Sequence, residues 1–173
     1  MTISLFALRH HLEYSIWANQ RLLKAVQELT PEELNRDFHT ADHSVVGTLA
    51  HLLASEIIWL ARLEGGPPAP IARTIQEPQL ADLIEQWAGV GERWRKWIGS
   101  LSDADGDRIV AYADLRGNRW SQPLWQLVLH VVNHSSHHRG QVAGFLRSMG
   151  KAPPSVDFIA FVRHNPLSSG AGN

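Results

Sequence analysis

The feature that most constrains this chain is a helical pattern running from Pro123 to Gly150 that carries a row of histidines. Pro123 suits a first helical turn and Gly150 a C′ position, so the segment predicts one helix roughly 40 Å long at 1.5 Å per residue. Four of the ten histidines (His130, His134, His137 and His138) fall in this segment. At about 100° per residue, His134 and His138 lie roughly 40° apart, with Cβ atoms about 6 Å from each other. Two imidazoles so placed can grip one cation, and neutral imidazole suits zinc, nickel, copper or iron. A pair at this spacing also occurs without any metal. However, His130, His134, His138 and Gln141 share a face with Leu127 and Phe145, with His137 at its edge. Each histidine there needs a partner or incurs a desolvation penalty. A polar stripe facing a core is what a site inside a helix bundle looks like.

Three further stretches carry helical periodicity. Leu5–Leu29 places Leu5, Leu8, Leu12, Ile16, Leu23 and Val26 on one face. Thr30-Pro31-Glu32-Glu33 reads as a capped short turn, and Asn35–His43 as a polar loop. Ser44 then caps a helix through Val46, Leu49, Leu52, Leu53, Ile57 and Leu60, which ends at Gly65-Gly66. The proline-rich loop Gly65–Pro70 follows. Gln79–Leu101 is the third, with Trp87, Trp94 and Trp97 read as core rather than cofactor contacts. Between it and the last long helix the period changes. Ile109–Tyr112 and Arg119–Ser121 flank the turn Arg116-Gly117-Asn118, which predicts a short β-hairpin leaning on the bundle as a rim. Ser155–His164 is a final apolar piece, and the tail from Ser168 to Asn173 reads as disordered. The fold class is therefore all-α, a four-helix bundle with a β-hairpin inserted before the last long helix. A single domain spans residues 1–167, with residues 168–173 as a tail.

Composition narrows the function. Sixteen basic against 17 acidic residues give a formal charge of −1, with no basic block, so nucleic acid is not the expected partner. Cysteine is absent, which excludes disulfides, thiolate ligands and a cysteine nucleophile. No apolar run is read as membrane-spanning and no signal peptide is evident, so a cytoplasmic protein is expected. Taken alone, His51 on the second helix reads as a satisfied, half-buried histidine. Beside the pair on the last helix it becomes the outside candidate for a third ligand. Glu56 could accept a proton from a histidine but reads first as an exposed helical carboxylate. Arg139 projects about 140° from His134, so it is expected to pack against another element or to bind an anion at the edge. His10, His11, His39, His43 and His164 read as surface or loop histidines.

The motifs Tyr14-Ser15-Ile16-Trp17-Ala18-Asn19, Gly47-Thr48-Leu49-Ala50-His51, His130 to Gln141 and Gly150 to Asp157, with Gly117 of the hairpin, resemble the DinB-like family (also described as DinB/YfiT-like) across nearly the whole chain. The resemblance implies an up-down-down-up bundle with a long second-to-third connection, which the Gly65–Pro78 segment permits. It implies a divalent metal on His51, His134 and His138, and a homodimer acting on a small-molecule substrate. Zinc or nickel stand foremost, with iron, copper or manganese as further candidates. His130, His137, Gln141 and Glu56 are the surrounding or pocket residues, and His130 is an alternative ligand.

Three neutral imidazoles leave coordination positions open, which marks a catalytic rather than a structural site. Family members include transferases and isomerases that use low-molecular-weight thiols. With no cysteine in the chain, any thiolate must arrive with a cosubstrate, and no side chain is assigned as catalytic. The nucleophile expected is a water or thiol on the metal. A metal-dependent hydrolase is the weaker enzyme reading, because Ser135 stands where H-E-x-x-H would place its glutamate. A non-catalytic metal-binding or stress-response bundle is the other alternative.

Overall fold

The computed structural model describes residues 3–66 and 73–166. Four long helices dominate it: α1 (Leu5–Val26), α3 (Val45–Leu63), α5 (Leu80–Gly99) and α6 (Leu124–Ser148). Shorter pieces are α2 (Pro31–Asn35), α4 (Arg73–Gln76), α7 (Phe158–His164) and the hairpin strands β1 (Ile109–Ala113) and β2 (Arg119–Pro123). The expected disordered tail lies outside the described residues, as does most of the proline-rich loop after Gly66.

Local chemistry sets the boundaries. Ser4 and Ser44 accept from the third backbone N–H of α1 and α3. Thr30 and Glu33 form a reciprocal capping box with Pro31 in the first turn of α2. Helix α1 stops at Val26, a little short of the expected Leu29, because the last residues tighten into a turn. The hairpin pairs Tyr112 with Trp120, and Gly117 takes the left-handed φ of +85° that its turn needs.

Side-chain contacts between helices give the topology. Arg9 donates to the carbonyls of Ile98 and Leu101 while Ile16 lies against Gly91, so α1 and α5 are antiparallel. Glu56 meets Trp87 and Glu64 meets Arg93, so α3 and α5 run parallel. Trp59 packs on His130 and His51 on His138, so α3 and α6 are antiparallel. The order is up-down-down-up. The two parallel neighbours α3 and α5 require a long crossover, which α4 occupies in part.

Leucine, valine and tryptophan side chains fill the space between the four helices, with Trp87, Trp94 and Trp97 all buried. Among the described helices, α3 alone has the length and apolarity to cross a membrane, with a mean hydropathy of 1.3. This differs from the expectation that no apolar run reaches membrane-spanning length. More than half of that stretch is buried inside the bundle, so its apolar character belongs to the core.

The core also holds a polar layer. Arg139, only 1% exposed, donates from Nη1 to Ser15 Oγ (3.0 Å) and Asn19 Oδ1 (2.8 Å), and from Nη2 to Ser136 Oγ (2.9 Å). Its guanidinium lies over the Tyr14 ring. Asn19 in turn donates to Glu56 Oε1 at 2.7 Å. Tyr14, Ser15 and Asn19 of the first-helix motif thus form a cradle for a cation delivered by α6. Arg139 packs against another helix, and it does so in the core rather than at an edge.

Candidate metal centre

Helix α3 carries His51 and helix α6 carries His134 and His138, all facing one groove between the antiparallel pair. One nitrogen from each lies within 4.8 Å of the other two. His51 Nε2 and His134 Nε2 are 3.3 Å apart, and the His138 ring centroid is 4.5 Å from that of His51 and 4.4 Å from that of His134. The 3.3 Å between His51 and His134 is the separation of two imidazole nitrogens that share one zinc at about 2.0–2.1 Å each, and the His138 ring stands beside both.

The opposite nitrogens have their own partners. His138 Nδ1 is 2.7 Å from Gln141 Oε1; an amide oxygen only accepts, so Nδ1 carries the proton and Nε2 presents a lone pair to the groove. The Asp42 carboxylate lies 3.6 Å from His51 Nδ1 and 3.8 Å from His138 Nδ1, behind both rings. A hydrogen-bonded acceptor such as Gln141 fixes the tautomer and orientation of a ligating imidazole, and the Asp42 carboxylate adds a negative charge just beyond hydrogen-bond reach. Asp42 belongs to the loop read from sequence only as polar, and its role depends on backbone geometry. His43 takes a left-handed φ of +59° beside it, and the chain folds back so that Phe38 N–H donates to the His43 carbonyl. Gly47 permits the approach, because a Cβ there would run into the Asp42 carbonyl oxygen.

Burial favours neutral rings. Desolvation, reinforced by the neighbouring His138, His51, His130 and His137, holds His134 down to about 4 from an ordinary 6.5. Desolvation also lowers His138, against the opposing pull of Gln141 and Asp42. At neutral pH both rings offer lone pairs.

The groove differs from the core-facing stripe that the spacing suggested. His51 keeps 44% of its side chain exposed and only His138 is buried, so the cluster opens at the bundle surface. The face of α6 turned fully inward carries Val128, Val131, Val132, Ser135, Arg139 and Val142.

The remaining expected residues divide as follows. His130 lies outside the three-nitrogen cluster, 5.8 Å ring to ring from His134, and packs edgewise on Trp59. Desolvation and the nearby Arg62 cation lower its pKa. Trp59 also touches Tyr112 of the hairpin, and Arg62 stacks over both rings. The hairpin therefore leans on the rim through Trp59. His137 is exposed and meets His138 edge-on.

Glu56 departs most from expectation: it is 4% exposed and sits in the core polar layer, apart from the histidine rings. Burial raises its carboxyl pKa, opposed by hydrogen bonds from Asn19, Trp87 and Ser135 and by the Arg139 charge. Its i+7 spacing from Leu49 and i+3 and i+4 spacing from Leu53 and Leu52 signalled that inward position.

Comparison with known proteins agrees with this architecture. The pattern of the DinB family matches residues 1–167. The protein named DinB of Bacillus subtilis (strain 168) is 24% identical over 153 residues, spanning 84% of this chain and 88% of its own. An uncharacterized protein of the same organism, YizA, is 22% identical over 153 residues, spanning 85% of this chain and 91% of its own. The crystal structure of a DinB-like protein from Bacillus cereus ATCC 10987 superposes with a TM-score of 0.68 at 20% identity, covering 91% of this chain and all of that one. With a helical bundle, an inserted hairpin and a family pattern that runs nearly end to end, this chain belongs to the DinB family.

Proposed function

We propose that the protein is a metal-dependent enzyme of the transferase or isomerase type, joining a low-molecular-weight thiol to a small electrophile or using one to isomerise it. The observation that carries this reading is a cluster of three imidazoles that no fourth side chain joins among the described residues, open to solvent on one side. A structural site would close its shell with protein ligands. Bound there, a divalent cation supplies Lewis acidity that makes a thiol or water nucleophilic near neutral pH.

The chain's own residues do the rest. Gln141 accepts from His138 Nδ1 and so turns its Nε2 toward the groove, while the Asp42 carboxylate stands behind both His51 and His138. His130 and His137 flank the cluster with imidazoles able to take the proton that the thiol releases. The absence of cysteine leaves the thiol to a cosubstrate. The same reading takes zinc or nickel as the metal and a homodimer as the working form.

The test begins with protein purified without an affinity tag. Elemental analysis should find close to one divalent ion per chain, and sedimentation should report a dimer. Metal-loaded protein is then offered a panel of low-molecular-weight thiols and small electrophiles, with adducts and isomers read by mass spectrometry. Turnover lost in His134→Ala supports the assignment. No turnover across the panel at verified metal stoichiometry overturns it.

A further inference from the structure

A second site lies about 140° around α3 from His51. Between α1 and α5 is a slot of about 190 Å³ whose walls include Ile16, Leu23, Ile84 and Trp87 and whose floor is Asn19 and Glu56. This is slightly larger than the roughly 150 Å³ apolar cavity that accepts benzene. It is therefore the size of a ligand with about six to eight non-hydrogen atoms.

The floor has a definite polarity. Glu56 Oε1 already accepts from Asn19 Nδ2 at 2.7 Å and Ser135 Oγ at 3.2 Å. Glu56 Oε2 receives a single, long bond of 3.3 Å from Trp87 Nε1. A carboxylate has about four acceptor positions, so Oε2 retains one. Asn19 is engaged on both sides, one N–H of its amide donating to Glu56 and its oxygen accepting from Arg139, which leaves it one N–H. The open acceptor at the bottom of the slot is thus Glu56 Oε2.

We propose that this slot binds a compact apolar molecule bearing one hydrogen-bond donor, an arylmethyl alcohol or amine in size and chemistry, with the donor received by Glu56 Oε2. An incoming carboxylate would be set against the Glu56 carboxyl oxygen, like against like in a buried site. Exposed Lys24 at the mouth is the one lining cation, which makes an anion the informative competitor. The site is separate from the histidine cluster and stands whether or not that cluster is catalytic.

Benzyl alcohol, benzylamine and benzoate share size and ring, and differ in the group they offer. Each is titrated into the full chain while the indole N–H resonance of Trp87 is followed by NMR. The alcohol or the amine, or both, should shift it at concentrations at least tenfold below those needed for benzoate. Which of the two binds more tightly separates a neutral from a cationic ligand.

Ala88, exposed at the mouth, is replaced by phenylalanine to plug the opening; Ala88→Phe should weaken alcohol and amine binding more than tenfold and leave metal uptake at the histidines unchanged. Glu56→Gln places an amide N–H₂ where Oε2 stood and should turn the preference toward benzoate. Benzoate binding as tightly as the alcohol and amine to the unsubstituted chain overturns the proposal. So does undiminished binding to Ala88→Phe, or no indole shift with any of the three. If Glu56→Gln fails to fold, Ala88→Phe and the benzoate comparison decide.

Discussion

Gly47 lies against Asp42 so closely that the methyl group of an alanine would collide with the Asp42 carbonyl oxygen. The loop that places the Asp42 carboxylate behind His51 and His138 is seated on the bare first turn of α3. Helix propensity alone favours alanine over glycine by about 0.8–1 kcal/mol. A collision with backbone cannot be relieved by rotating a side chain, and overpacking of this kind costs about 1–3 kcal/mol. Gly47→Ala is expected to lower stability in urea denaturation and to weaken metal binding together. A stabilised variant would mean that the loop does not rest on Gly47.

Asp42→Asn keeps the shape and removes the charge behind two imidazoles. Loss of a partner of this type typically costs about 10–100-fold in metal affinity. Competition against a chromophoric chelator should show that drop with the helical content unchanged. His51→Ala, His134→Ala and His138→Ala should each lose most of the metal. An Asp42→Asn protein with undiminished affinity would reduce the carboxylate to a bystander.

The metal-free protein should weaken on acidification. His134 titrates at about 4 when folded and near 6.5 when unfolded. Above 6.5 both states are neutral and the group contributes nothing; below it the unfolded chain takes the proton first, so stability falls until the folded pKa is passed. Melting curves with chelator present, taken between pH 7.5 and 4, should decline less steeply in His134→Asn than in the parent. Equal slopes would show that burial does not hold this ring neutral.

Arg139 and Glu56 are two buried charges joined through Asn19. Removing one partner of such a pair typically costs about 3–5 kcal/mol, because the other charge is left buried and uncompensated. Arg139→Leu should be destabilised on that scale. The double variant Arg139→Leu/Glu56→Gln should cost less than the sum of the two single changes, measured as a coupling in urea unfolding. Strict additivity would remove the argument that Asn19 relays one charge to the other.

Much of this could be read from spacing alone. The helix caps, the apolar repeats of the long helices and the Arg116-Gly117-Asn118 turn are local features, and local chemistry decides them. His134 and His138 are four apart on one helix, so their meeting is also local; their meeting with His51 depended on family resemblance. Asp42 was not legible, because its aim follows from a left-handed His43 and from the contact at Gly47. Neither follows from residue type. Glu56 was legible in principle from its place in the α3 apolar repeat. Glutamate's general preference for solvent masks that pattern.

The cradle formed by Tyr14, Ser15 and Asn19 has a consequence for the opposite flank of α6. Arg139 can meet Ser15 and Asn19 only at one axial setting of that helix against α1, since a slip of one turn carries it about 5.4 Å away and strands its donors. Because α6 is a rigid rod, whatever locks its height at Arg139 also sets the height of the neighbouring His138. The buried guanidinium therefore acts as an alignment pin, and the accuracy of the histidine cluster is decided by hydrogen bonds on the far side of the helix that bears it.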